Sequence, residues 1–141
     1  MQYKLNENLK WKELSQKNVD FGGGLERVMI CQLNMKNGTN DIFEIEIFTP
    51  FISKLEEISG LKYNEEKEKK SEALKAFRIV SDHMRAAILL MGDSVIPSNK
   101  EHGYVLRRFI RRAIRFGMVL GISTNFTKDL ANYVIDQNKI D

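Results

Sequence analysis

The stretch from Pro97 to Gly117 has the sequence PSNKEHGYVLRRFIRRAIRFG. From Tyr104 onward, its apolar residues recur at the spacing that places side chains on one side of an α-helix, and arginines occupy another side. The stretch therefore predicts an amphipathic helix that buries one face and offers positive charge on the other. The apolar set is Val105, Leu106, Phe109, Ile110, Ala113 and Ile114, and the arginine set is Arg107, Arg108, Arg111, Arg112 and Arg115.

The positive charge is local to this helix. Residues 102–128 contain five Arg, one Lys and no acidic residue, so they carry +6, whereas the whole chain carries +3. A charged helix face is often merely solvated, and a basic amphipathic helix can also lie on a membrane surface. Arginine, however, suits bidentate contacts with phosphate, and no acid one turn away neutralises this set. The pattern favours a phosphate backbone as the partner.

Length and composition exclude several classes of protein. A chain of 141 residues with 43% hydrophobic content can form one ordinary domain or parts of two. No apolar run approaches the roughly 18 residues of a membrane span, and the N-terminus has no signal-peptide core, so we expect a cytoplasmic protein without a membrane partner. One cysteine, Cys31, and two histidines exclude a disulfide framework and a cysteine-based zinc site, and we expect no metal site in this chain.

Turn signals and periodicity predict the other elements. The first twenty residues predict two strands, and the charge-dense segment 62–72 predicts an exposed linker because it lacks an apolar stripe. Further helices are predicted directly after the glycines at 22–24, from Thr49 to Gly60, from Ala73 to Met91 and from Asn125 to Gln137.

Two features allow both a functional and a plain structural interpretation. Three consecutive glycines before a helix let a ligand approach the backbone and leave N–H groups for an anion, but they also suit a flexible turn. His83 lies on a predicted helix, where no serine, cysteine or second carboxylate is placed to complete a catalytic relay. We interpret His83 as a polar helix residue that is hydrogen-bonded to a neighbour.

Three segments, in this order, resemble the alanyl-tRNA synthetases, a family of class II aminoacyl-tRNA synthetases. They are VDxGxGLER from Val19, DHxRA from Asp82 and PSNxxxGYVLRRxxRRA from Pro97. The resemblance implies a mainly α chain with a small N-terminal β portion. Residues 1–40 would form the end of a class II antiparallel-sheet catalytic domain, and residues 41–141 would form a helical tRNA-recognition bundle.

The first segment corresponds, by this resemblance, to motif 3, which closes the site for ATP and the aminoacyl-adenylate. Arg27 would be the catalytic cation against the ATP phosphates, and Gly22 and Gly24 would allow close approach of the adenylate. Asp20 would pair with the α-amino group of alanine. A fixed arginine, usually beside Mg²⁺, suits the charge that builds on a leaving pyrophosphate. ATP and Mg²⁺ are thus the expected substrate and cofactor of the complete enzyme.

The third segment corresponds to the region that recognises the tRNA acceptor stem. Asn99 matches a position implicated in reading the G·U wobble pair of that stem. The arginine set would hold the phosphates of the stem, with Arg111 as the first choice. Asparagine presents both a donor and an acceptor to a base edge, whereas contacts from arginine to phosphate position the stem without reading its sequence.

The resemblance covers only part of the family. Motifs 1 and 2, the rest of the tRNA-recognition region and the editing domain are not recognisable. We expect a fragment, a mis-started reading frame or one piece of a split enzyme that pairs with an N-terminal catalytic half, and we expect no alanine activation by this chain alone. Two functions stay open at this point: a segment of alanine–tRNA ligase, or a stand-alone, non-catalytic RNA-binding helical module.

Overall fold

The computed structural model describes residues 3–7, 9–16 and 22–137. Near the N-terminus, β1 (Tyr3–Leu5) pairs antiparallel with β2 (Trp11–Glu13). The prediction of a mainly α chain with a small N-terminal β portion is confirmed. The helices of the described part are α1 (Leu25–Asn37), α2 (Thr49–Ser59), α3 (Tyr63–Lys69), α4 (Glu72–Gly92), α5 (Glu101–Val119) and α6 (Phe126–Gln137), with a short 3₁₀ helix over Ile42–Glu44.

The core is organised around α4, the longest of these helices. Its N-terminus is capped by Ser71, whose hydroxyl accepts the backbone N–H of Leu74 at 3.1 Å. Helices α2, α3, α5 and α6 all pack against α4. Burial of apolar side chains between these helices is the main favourable term in folding. The fully buried apolar residues that α4 contributes are Ala76, Phe77, Val80 and Ala87.

The arginine-bearing helix α5 packs on α4, and its buried stripe is narrower than the predicted apolar set. Gly103, Leu106, Ala113 and Gly117 are its buried residues, whereas Val105 and Ile114 of the predicted apolar set remain 41% and 38% exposed. Three of the four buried positions are glycine or alanine. Small residues let neighbouring elements approach closely: a Cβ atom on Gly117 would lie 2.5 Å from Cζ of the Phe126 ring at the start of α6. The helix also begins at Glu101 instead of Tyr104.

The structure corrects the prediction of an exposed linker over residues 62–72. Most of this segment is helix α3, and the side chain of Tyr63 belongs to the hydrophobic core. Lys67 reaches the carboxylates of Asp41, at 3.3 Å, and Glu44. Lys67 therefore pairs this segment with the 3₁₀ helix and its N-cap residue, and the single aromatic residue, Tyr63, anchors it.

Asp41 is the centre of a buried polar cluster, the Asp41 cluster, with Tyr63, Lys67 and Arg78. Its carboxylate accepts hydrogen bonds from the Tyr63 hydroxyl at 2.8 Å, from Arg78 Nη2 at 2.9 Å and from the backbone N–H of Phe43 at 3.1 Å. Burial alone would raise the pKa of Asp41, but these hydrogen bonds outweigh burial and hold the pKa below its ordinary value. The cluster ties the 3₁₀ helix to α3 and α4.

Candidate nucleic-acid interface

The connection between α4 and α5 holds Asn99 at the N-terminal end of α5. The backbone N–H of Ser98 donates to the carbonyl of Gly103 at 3.0 Å, and the N–H of Lys100 donates to the Ser98 hydroxyl at 3.3 Å. A Cβ atom on Gly103 would lie 2.5 Å from the carbonyl oxygen of Ile96 and 2.9 Å from Ser98 Cβ. Position 103 therefore requires glycine so that the connection between α4 and α5 can pack against the first turn of α5.

All five residues of the arginine set are exposed on α5. Together with Asn99 and Tyr104 they line an open groove of about 620 Å³, which we call the arginine groove. Among residues 3–7, 9–16 and 22–137, no carboxylate forms an ion pair with any of the five. The arginine groove thus keeps a positive field that can attract an anion.

The arginine groove gathers every residue that the sequence assigned to tRNA contacts and adds Tyr104. The side chain of Tyr104 is 50% exposed. Aromatic side chains beside basic ones commonly stack on nucleic-acid bases. Its position three residues before Arg107, about one helical turn, is the sequence signal that could have identified it.

Two arginines of this set have side-chain contacts that differ from each other. Arg107 Nη1 donates a hydrogen bond to Asn99 Oδ1. The guanidinium of Arg112 lies 5.9 Å from the ring centroid of Phe116, at the distance of a cation–π contact. Asn99 and Arg107 therefore form one polar unit at the end of the arginine groove.

The described part of the segment that resembles motif 3, residues 22–27, leads into the first turn of α1. The carbonyl of Gly24 accepts the N–H groups of Arg27 at 3.0 Å and Val28 at 3.1 Å, which begins the helix. A Cβ atom on Gly24 would lie 3.2 Å from Arg27 Cδ, so this glycine leaves room for the arginine stem. The side chain of Arg27 is exposed, and Gly22 has open space around it. Asp20 lies outside the described residues.

Helix α1 is joined to the helical core by Arg85 of α4. Arg85 Nη1 lies 3.5 Å from Glu26 Oε1, and its guanidinium lies 5.7 Å from the ring centroid of Phe48. His83, two residues earlier, has its Nδ1 atom 3.0 Å from Asp82 Oδ2. This is the hydrogen bond to a neighbour that the sequence predicted.

The described residues were compared with the requirements of a membrane-spanning helix and of a metal site, and they meet neither. No helix in this part of the chain is both long and apolar enough to cross a lipid bilayer. No three of the His, Cys, Asp and Glu side chains described here come together as ligands for a metal ion. We therefore assign no metal centre to residues 3–7, 9–16 and 22–137.

Known proteins match nearly the whole chain. Residues 1–139 match the family described as tRNA synthetases class II (A). The chain is 37% identical over 135 residues to alanine–tRNA ligase of Natranaerobius thermophilus, 39% over 136 residues to that of Thermotoga petrophila and 41% over 136 residues to that of Borreliella burgdorferi.

These three matches cover 96%, 96% and 95% of this chain, but only 14%, 15% and 22% of the respective relatives. The chain thus spans less than a quarter of the length of each. The residues that carried the resemblance lie within the matched range of the family. The chain belongs to the alanyl-tRNA synthetase family of the class II tRNA synthetases.

Proposed function

We propose that this chain supplies motif 3 and the acceptor-stem recognition surface of an alanine–tRNA ligase. The complete enzyme joins alanine to ATP, which gives alanyl-adenylate and pyrophosphate. It then transfers the alanyl group to the 3′ end of tRNA(Ala) and releases AMP. Residues 1–40 would belong to the catalytic domain and residues 41–141 to the tRNA-recognition bundle, in a cytoplasmic enzyme.

The observation that carries the RNA-binding part of this proposal is the arginine groove. Arg107 to Arg115 span about 12 Å along α5 at the helical rise of about 1.5 Å per residue. The arginines of the groove lack carboxylate partners among the described residues, so phosphates would supply the missing negative charge. Asn99 lies at one end of the arginine groove, where a loop side chain can enter the wide, shallow minor groove of double-stranded RNA.

The motif 3 segment supports a role in nucleotide binding. Arg27 is an exposed cation in the first turn of α1, where backbone N–H groups and the helix dipole also favour an anion. In the proposed role Arg27 contacts the ATP phosphates, and Gly22 and Gly24 line the adenylate. Asp20 would hold the ammonium group of alanine, a role that rests on the sequence resemblance. Mg²⁺ would neutralise phosphate charge in the complete enzyme.

A non-catalytic RNA-binding module is the second candidate function. The helices that carry the arginine groove share a buried core, whereas α1 has no buried residue. RNA binding would thus persist even if motif 3 had no catalytic partner. We expect the chain alone to give no ATP–pyrophosphate exchange. Adding the N-terminal catalytic half of a relative distinguishes the candidates: restored aminoacylation supports the ligase, and stem binding without rescue supports the module.

The division of roles within the arginine groove predicts different effects for Asn99→Ala and Arg111→Ala. The variant Asn99→Ala should lose discrimination between acceptor-stem hairpins with a G·U and a G·C pair while keeping much of its affinity, because it removes a base contact. Arg111→Ala should weaken binding to both hairpins alike and lower the slope of log K against log salt by about one unit, because it removes a phosphate contact. Binding is measured by fluorescence anisotropy at several salt concentrations. Identical behaviour of the two variants would contradict these roles.

A further inference from the structure

The contact between Arg107 and Asn99 fixes which end of the Asn99 carboxamide faces outward. A guanidinium group has only N–H donors, whereas a carboxamide has an oxygen acceptor at one end and an NH₂ donor at the other. Arg107 Nη1 donates to Asn99 Oδ1. The NH₂ group therefore points away from Arg107, and within the described part of the chain neither of its N–H groups has a hydrogen-bond acceptor.

We propose that Arg107 is a positioning residue that orients Asn99 so that its NH₂ group meets a hydrogen-bond acceptor on an RNA base edge. This inference rests on the proposed function, because it assumes that Asn99 reads the acceptor stem. It changes the role that the sequence assigned to Arg107, which was a phosphate contact like the other four arginines. The acceptors on the minor-groove edge of a base pair are pyrimidine O2 and purine N3.

The surroundings of Arg107 suit a fixed orientation. Its neighbour Leu106 is fully buried against the core, so the helix backbone at this position is anchored. The backbone next to Asn99 is held as well, because the N–H of the preceding residue, Ser98, donates to the Gly103 carbonyl. A side-chain hydrogen bond between two anchored segments gives the carboxamide one orientation, because a flipped amide would place two donors against each other.

Among the described residues, Arg107 alone of the five arginines donates a hydrogen bond to a neighbouring side chain. Arg111 lies one turn further along the same exposed side of α5. Arg111 is therefore the matched control, since it shares the charge, the helix and the exposure of Arg107 without the contact to Asn99.

The first test uses the RNA-free chain and does not depend on the proposed function. In the ¹⁵N-labelled parent chain, the side-chain NH₂ group of Asn99 should give one pair of resonances with a high order parameter. Arg107→Ala should shift these resonances and lower their order parameter, whereas Arg111→Ala should leave them unchanged. Unchanged Asn99 resonances in folded Arg107→Ala would overturn the positioning role, whatever the RNA results are.

The second test measures binding of the 141-residue chain to acceptor-stem hairpins with a G·U or a G·C pair. Arg107→Ala should lower the G·U preference about tenfold, the effect of one lost hydrogen bond, and the double variant with Asn99→Ala should lower it no further. Arg111→Ala should keep the preference while weakening both complexes. Additive losses in the double variant would overturn the proposal.

The variant Asn99→Asp tests the direction of the outward donor. An aspartate keeps the pair with Arg107 but turns an oxygen toward the RNA, so the G·U preference should be lost although the pair remains. A preserved preference would contradict an outward NH₂ donor. If the parent chain binds neither hairpin, the proposed function itself fails, and the resonances of Asn99 still report on the Arg107 contact.

Discussion

The Asp41→Ala variant is expected to lose about 3 kcal/mol of unfolding free energy, because it leaves the buried Tyr63 hydroxyl and the half-buried Arg78 without their acceptor. The Asp41 side chain is only 5% exposed, and Tyr63 and Arg78 both donate to its carboxylate. Removal of the carboxylate leaves the Tyr63 hydroxyl proton and Arg78 Nη2 without their acceptor, whereas Arg78 Nε still donates to the Tyr63 hydroxyl oxygen at 2.9 Å. Urea denaturation followed by circular dichroism measures the loss.

The matched control is Glu46→Ala. Glu46 is an exposed acidic residue five positions along the chain, between the 3₁₀ helix and α2. Surface substitutions away from special features usually change stability by less than about 0.5 kcal/mol. An equal loss in both variants would show that general charge, and not the Asp41 cluster, accounts for the effect.

The pH dependence of the parent chain checks the same cluster. The pKa of Asp41 is lower in the folded chain than in the unfolded chain. The contribution of Asp41 to the free energy of unfolding is therefore fully present above the ordinary carboxyl pKa of about 3.9, and it is lost as pH falls through the lowered value. The difference in unfolding free energy between the parent chain and Asp41→Ala should therefore be largest near neutral pH and shrink below about pH 4. A constant difference down to about pH 2 would contradict the assignment.

The Gly103→Ala variant is expected to displace the connection that carries Asn99. The added methyl would overlap the Ile96 carbonyl oxygen and the Ser98 side chain. Such overpacking typically costs about 1–3 kcal/mol. The variant should therefore have a lower free energy of unfolding, which urea denaturation measures. It should also lose its preference for a G·U stem, which hairpin binding measures.

Gly92→Ala is the control for the same chemical change. Gly92 is the last residue of α4, and a Cβ atom there would meet no heavy atom within 4 Å. Alanine is a better helix former than glycine by about 1 kcal/mol at an interior position, so this variant should be neutral or slightly more stable. A stable Gly103→Ala variant with an intact G·U preference would show that the connection does not depend on this packing.

Elements with strong periodicity were predictable from the sequence. The stripe Phe77, Val80 and Met84 indicates α4, and the alternation of arginines with apolar residues indicates α5 and its two unlike faces. The pattern did not give the width of the buried face. Val105 and Ile114 are apolar but partly exposed, because the glycines and alanine of α5 bring the helices together on a narrower line.

The Asp41 cluster and α3 were not predictable in the same way. Tyr63 and Arg78 are 22 and 37 residues from Asp41, so neither helical nor strand periodicity connects them. The acidic and basic residues around Tyr63 indicated a solvated stretch, whereas tertiary ion pairs hold part of it. Likewise, the gathering of the arginine set followed from the pattern of one helix, but the hydrogen bond from Arg107 to Asn99 depends on how the preceding connection folds.

The absence of buried residues in α1 has a thermodynamic consequence. A helix of 13 residues without a buried face gains little from tertiary packing, and isolated helices of this length are marginal in water. Helix α1 can therefore open by local unfolding while α4 and α5 stay closed, with the contact between Glu26 and Arg85 as one of the links to be broken. Substitutions near Arg27 and substitutions in the arginine groove should then act on separate cooperative units, so the proposed nucleotide-binding end and the proposed RNA-binding end can vary independently.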